Sequence, residues 1–515
     1  MVMRRVLKHH VCLCILSTAV LAGLALSTAQ EVYAGPKNCN GGVAGPGGGG
    51  DGSDRSNERI ECDGSSGGVK YLSGNRTVDM STESDAPAVK VYNRADITIS
   101  SEPLTITGGG SNNEPAIKVY GQGKLTVMNV TATNVYKGIE ADGEGSSVTV
   151  VKGSIEVKDG GEGITMQRGG GGKVTLMDGV TVTGGGSVGV GVVFKGSGKS
   201  TVMLMGTSFQ NVKTGVSVEG DGVNATVMGV GATINLANGG TGITMQKQGW
   251  GEVTNMTITG NGGKVTGVEV TLGEMTLNMV KLTNMQTGAK VTGGKLKVTG
   301  GSIEGGGSGG TGVMAVGTVT LNGEVKIEGF TTGVNVGGTG KFEMTGGTIE
   351  GNGKGGVGVE VNVTGKGSAT LDGGVKITGF TTGVKVEKGT FEMTKGMITV
   401  TGNVGSSGVE VRGGNVTLDG GATIMVTGGV GTGVNVQKGE FKMTKGMITG
   451  SGRDGVSVTG GTVTLEGGVK ITGFTTGVKV GGTGKFKMTG GTITVTGNGQ
   501  GVYVMDGGSV VTLDG

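Results

Sequence analysis

Residues suited to acid, base or nucleophilic chemistry are nearly absent from the body of this chain. Of its 515 residues only two are histidine, His9 and His10, and four are cysteine, Cys12, Cys14, Cys39 and Cys62. Both histidines and the first two cysteines lie in a segment with the marks of an export signal. Arg4, Arg5 and Lys8 precede an apolar run over 11–26, and Val32, Tyr33 and Ala34 supply a cleavage pattern before Gly35. That run, about 16 residues, falls short of the roughly 20 needed to span a bilayer, so residues 1–34 read as a cleaved signal peptide. Its loss leaves no histidine and excludes a Ser-His-Asp centre.

Carboxylates are the next candidates, because glycan-cleaving enzymes place two or more of them on one face. No Asp-Asp pair occurs, and Glu269, Glu360 and Glu410 are scattered along the repeats at positions expected to point outward. They read as solvated charges. "KGSGKST" over 195–201 imitates a phosphate loop, but Val193 stands where the pattern requires glycine, and no helix can follow. "GGGGDGSD" over 47–54 is a single copy of a calcium-binding Gly/Asp repeat, too little for a site. Asn-x-Thr triplets such as those at Asn129 and Asn415 fit ladder positions in strands, and "GRDG" at Gly452 is not an integrin tripeptide. We therefore predict no catalytic residue, no cofactor and no metal ion, and a protein that is not an enzyme.

Two features remain. Cys39 and Cys62 bracket a Gly-rich stretch, and in an exported chain one disulfide closing that loop is the expected state. Trp250 is the only tryptophan. "GITMQKQGWGEV" (242–253) matches "GITMQRGGGGKV" (163–174), which places Trp250 where its sister unit has Gly171. An aromatic at a Gly-rich corner either packs locally or anchors a partner, so Trp250 is the candidate partner contact.

The elements that would carry such residues follow from composition and repetition. The chain holds 120 glycines and 3% aromatics, and glycine costs roughly 0.5–1 kcal/mol wherever regular structure fixes it. Removing 1–34 takes three basic residues and Glu31 from a net charge of +3, leaving about +1, which argues against nucleic acid as a partner. A phrase of the form Gly-Val-x-Val recurs from Val89 to Val502, about 24 residues apart, in eighteen copies. Within it, apolar positions alternate with a mostly charged or polar x, the period-2 sign of a half-buried strand. Each unit contains two further short strands, as in "KFEMT" and "ATLDG", set off by glycine corners. Three short strands per coil predict an all-β fold: a right-handed single-stranded parallel β-helix of about 18 coils of ~24 residues. A kelch-like propeller would need Tyr and Trp marks in each blade and leaves the 24-residue period unexplained.

"VKITGFTTGVKV" at 375–386 recurs identically at 469–480. With "FEMT/FKMT" and "L(D/N/E)G" alternating, the later half repeats two coils at a time. The expected organisation is a signal peptide over 1–34, a Gly-rich segment with the disulfide loop over 35–75, and the β-helix over 76–515.

An export signal, an N-terminal cysteine loop and a cysteine-free Gly/Thr/Val β-helix together resemble the passenger domain of type V autotransporters, and the wording of the repeats is similar to Gly-rich autotransporters of Bartonella. The resemblance implies Sec export, passage through the outer membrane of a Gram-negative bacterium, and display on the surface or release. It implies a non-enzymatic adhesive rod whose partner is a host-cell receptor or extracellular matrix. The other readings are a glycan-acting β-helix enzyme and a passive spacer that associates with its own copies. Such families end in an outer-membrane barrel. The sequence stops at "VVTLDG", inside a phrase that elsewhere continues, so we expect a chain truncated mid-coil.

Overall fold

A strand that buries every second residue still has two open edges, and here the coils before and after supply both. The computed structural model describes residues 58–515 apart from 67–68, 73–75, 83–84, 101–102, 110, 168–170, 308 and 506. Its 46 strands form one continuous, wholly parallel pairing system, and the only helical piece among the described residues is the single turn Gly64–Ser66. Three strands make a coil, and each pairs with its counterpart one coil on. The result is the expected parallel β-solenoid of about 18 turns. The expected signal peptide over 1–34 and Cys39 lie outside the described residues.

The first face is built from the Gly-Val-x-Val phrase. Its leading apolar residues form one column in which every member is the register partner of the next, from Val89 and Ile117 through Val384 and Val409 to Val478 and Val502. At about 4.8 Å per coil the column is roughly 80 Å long. It also reaches one coil further back than the expected body: Ile60–Asp63 pairs with Val89–Tyr92. In "IEC" a cysteine fills the second inward place, so Cys62 is fully buried, and it is disulfide-bonded.

The second and third faces explain the two-coil period. On the second, one inward column reads Phe342, Ala369, Phe391, Val416, Phe441, Val463, Phe486. A benzyl group is too thick for one coil height, so a small neighbour yields space, and volume is conserved over two coils. The third face repeats the device at its end, where Phe330 and Phe380 flank Gly351. A methyl group on Gly351 would sit 2.9 Å from the Phe380 ring. Beside it runs a column of nine consecutive isoleucines from Ile303 to Ile493. All nine phenylalanines of the chain are buried in this interior.

Glycine is used here for closeness as well as for turns. Gly267, Gly288, Gly312, Gly333, Gly358 and Gly383 stack on the first face, where an added methyl would lie 2.4–2.6 Å from the next glycine's carbonyl oxygen. At the corner ending the third face, earlier coils use left-handed asparagine instead. Asn284 (φ 60) donates its amide to Gly260 O at 2.7 Å, tying its coil to the one before. Gly329 and Gly379 take this place in later coils.

Candidate binding surface

The outward x column of the first face carries the charges singled out in the sequence. Glu269 pairs with Lys290 at 2.8 Å and Glu360 with Lys385 at 3.1 Å, while Glu410 accepts Arg412 at 3.0 Å. These glutamates are therefore not scattered. They share one column, alternating with basic partners so that like charges seldom abut. The same pattern recurs near the start, with Glu61–Lys90 at 2.9 Å and Lys118–Glu140 at 3.2 Å.

The expectation that every x residue is outward and solvated fails in the coils between 139 and 245. Glu140, Thr165, Val193, Ser217 and Thr244 are buried. Their neighbours are longer than they are. Lys195 is ion-paired with Glu162, and the two side chains start on opposite sides of the Val193–Thr165 pair, so together they roof it. Lys118 and Lys137 both reach Glu140, and the Ser217 and Thr244 hydroxyls bond each other at 2.9 Å.

The largest network joins Glu360, Lys385, Glu387, Arg412 and Glu410. The hydrogen bond from Lys385 holds the Glu387 carboxyl below its ordinary value of 4.5, and the same bond raises Lys385 above its own. A depressed carboxyl contributes stability that is present above its unfolded value and is lost as pH falls through the folded one. Glu387→Gln should therefore lower the unfolding free energy at pH 7 by about 0.2–1 kcal/mol, as for a partly exposed network. The difference from wild type should close as the pH drops below 4.5. Melts of both proteins from pH 3 to 8 check this, and a constant offset would speak against the network.

The remaining motifs are structural wherever they are described. The second half of the phosphate-loop lookalike, 198–201, lies in the strand Gly198–Met205. Asn129 and Asn415 sit in ladders opposite Lys152 and Thr390. In "GRDG", Asp454 is buried and bound to Arg453 Nε at 3.1 Å. "GGGGDGSD" lies outside the described residues, among which no cluster of three or more metal-ligating side chains occurs.

Trp250 does not occupy a corner. It is the second residue of the strand Gly249–Thr259, half-buried, in register with Asn224 before it and Glu274 after it. The sister alignment itself is structurally sound: Lys173, Thr201, Thr226 and Glu252 are successive register partners, which keeps the two phrases in step two residues before them. The exposed bend at 246–248 just precedes Trp250.

That bend belongs to the edge where the first face turns into the second, and this edge holds two open clefts. One, of about 430 Å³, is lined by Asn93, Arg94, Gly121 and Gln122. The other, of about 600 Å³, is lined by Glu144, Lys173, Lys199, Thr201, Met203 and glycines. At the head of the edge the rings of Tyr92 and Tyr120 stack, with centroids 5.2 Å apart and 3° between planes. Sequence reasoning missed these residues. The available signal was a tyrosine at the same place in two successive phrases, "VKVYNR" and "IKVYGQ".

The opposite edge answers for the repeated "FTTG". Thr331 and Thr381 donate their hydroxyls to Gly310 O and Gly356 O, at 3.1 and 3.0 Å. A short Thr-Thr-Gly corner thus pins the longer glycine loop of the adjoining coil.

No protein-family model, no curated protein and no solved structure matches this chain.

Proposed function

We propose that this chain is an exported, non-enzymatic binding rod, displayed or released in the manner of an autotransporter passenger domain. The observation that carries this reading is the combination of a β-solenoid, the shape of such passengers, with a disulfide-bonded Cys62 sealed in its first coil. Disulfides persist in oxidising compartments, which fits passage out of the cytoplasm. The described interior is almost wholly apolar. What varies from coil to coil is the outside, and partners would read the edges, where loops, clefts and Trp250 interrupt otherwise regular columns. The partner on this reading is a host-cell receptor or extracellular matrix.

The test is binding of the purified protein to host cells and to immobilised matrix. Wild type is expected to bind saturably, and Trp250→Ala to bind at least about tenfold more weakly, as for the loss of an interface anchor. Its melting curve should stay close to wild type, since Trp250 is only half-buried. Equal binding by wild type and variant would remove Trp250 from the contact. Clumping of expressing cells without any host binding would favour the self-associating spacer.

A further inference from the structure

We propose that Asn322 is a site of self-modification, at which the backbone nitrogen of Gly323 closes on the side-chain amide to a succinimide that water opens to aspartate. The site belongs to "L(D/N/E)G", the phrase that marks every second coil of the later half. Asn322 ends the strand Thr318–Asn322 on the second face, and through Thr345 it shares an outward column with Asp372. In the copies from Asn322 to Glu466 the following glycine is always left-handed: φ is 71 at Gly323, 69 at Gly373, 66 at Gly420 and 68 at Gly467. In two of these copies the acid folds back on that glycine. Gly373 N–H donates to Asp372 Oδ1 and Gly420 N–H to Asp419 Oδ1, both at 2.7 Å. The carboxyl carbon lies one bond beyond the accepting oxygen, so this turn brings it into near-attack contact with the same nitrogen.

An ionised carboxylate in that place resists attack, whereas a side-chain amide does not, and Asn322 is the copy that carries the amide. Its backbone is held, because its carbonyl accepts Gly300 N–H at 2.9 Å and the residue pairs with Thr299 in the ladder. Gly323 is exposed, and its N–H meets no backbone carbonyl among the described residues. The attacking nitrogen is therefore free, water reaches it, and glycine's missing Cβ leaves the approach open. In the first step the Gly323 nitrogen gives its proton to water, bonds to Asn322 Cγ and expels Nδ2 as ammonia. In the second, water adds to a carbonyl of the five-membered ring and opens it to aspartate or isoaspartate. Water is the only co-reactant. The aspartate product is what sister coils already carry at 372 and 419, so the fold should accept it, and the second face gains a negative charge. Asn352 is the contrast. Its Oδ1 accepts the N–H of Lys354 at 3.0 Å rather than that of its own Gly353, which draws the carbonyl past the nitrogen that would attack. None of this depends on what the rod binds.

The purified chain would be incubated in mildly alkaline buffer, both folded and unfolded in guanidinium chloride, and the peptides holding Asn322 and Asn352 followed by mass spectrometry. Conversion of Asn322 should run about threefold or more faster in the folded chain than in the unfolded one, because folding holds the reacting groups together. Asn352 should show the opposite order, being faster once its bond to Lys354 is lost. Asn322→Asp, which supplies the product directly, should melt at the wild-type midpoint. The proposal is overturned if Asn322 stays an amide in the folded chain, or if it converts as fast or faster once unfolded. It is equally overturned if Asn352 keeps pace with Asn322 in the folded chain, or if Asn322→Asp melts well below wild type.

Discussion

Val384→Asp is expected to unravel the coils around it and to cost about 4–6 kcal/mol. Val384 is fully buried, in register with Val359 and Val409, and its neighbours above and below are themselves fully buried. The substitution removes roughly 1.5–3 kcal/mol of apolar transfer. It then places a carboxylate in a column that holds no cation, so the group must protonate or drag water into the interior, at a further few kcal/mol. In a solenoid each coil touches only its neighbours, so the damage should be local. Hydrogen exchange should show lost protection in the strands around 359 and 409 and retained protection in the isoleucine column toward Ile493. The control is the next residue along the strand: Lys385→Ala removes an outward, ion-paired side chain and should cost no more than about 1 kcal/mol. If Val384→Asp unfolded at the wild-type midpoint, the inward assignment of this face would be wrong.

The fold was legible because a solenoid repeats its own register. Each copy of Gly-Val-x-Val is the next copy's hydrogen-bonding partner, so a column read along the sequence is a column in space. Phe342, Phe391, Phe441 and Phe486 made the two-coil period visible, but its cause was not, since packing volume is shared with Ala369, Val416 and Val463 in the coils between. The x column shows the limit of pattern. Thr165 and Val193 occupy outward places by parity, yet burial there depends on the reach of Lys195 and Glu162, which alternation does not encode. The candidate surface was least legible. Arg94, Gln122, Glu144 and Lys199 are ordinary polar residues in four different coils, and they come to line two clefts only when stacking at about 4.8 Å lines up the corners. Trp250 stood out by rarity, and rarity misplaced it by two residues, at a corner rather than in the strand that follows.

Gly383→Ala, one residue before Val384, is expected to destabilise by about 2 kcal/mol or more, against the usual direction for such a change. Elsewhere, replacing glycine by alanine at an unstrained position stabilises by ~0.4–1 kcal/mol, because the unfolded chain loses freedom. Gly383 is not in the left-handed region, so its backbone would accept alanine. Space would not. A methyl there would lie 2.2 Å from Ile398 Cγ2 and 2.6 Å from the carbonyl oxygen of Gly408, one coil on. The isoleucine is held in a column with Ile377 and Ile424, and the carbonyl is part of the ladder, so neither can retreat without opening the stack. Gly353→Ala supplies the contrast. That glycine has open space around it but a φ of +72, so its variant should show only the strain of a left-handed alanine, roughly 1 kcal/mol. The two costs separate by rescue. Ile398→Ala deletes the clashing methyl, so in a double-mutant cycle with Gly383→Ala the combined loss should be smaller than the sum of the single losses. Gly353→Ala has no such partner, and its cost should add to that of Ile398→Ala. A stabilising Gly383→Ala would mean that these glycines serve chain flexibility. The expected loss means that they set how closely the first face can approach the third, and with it the width of the rod's interior.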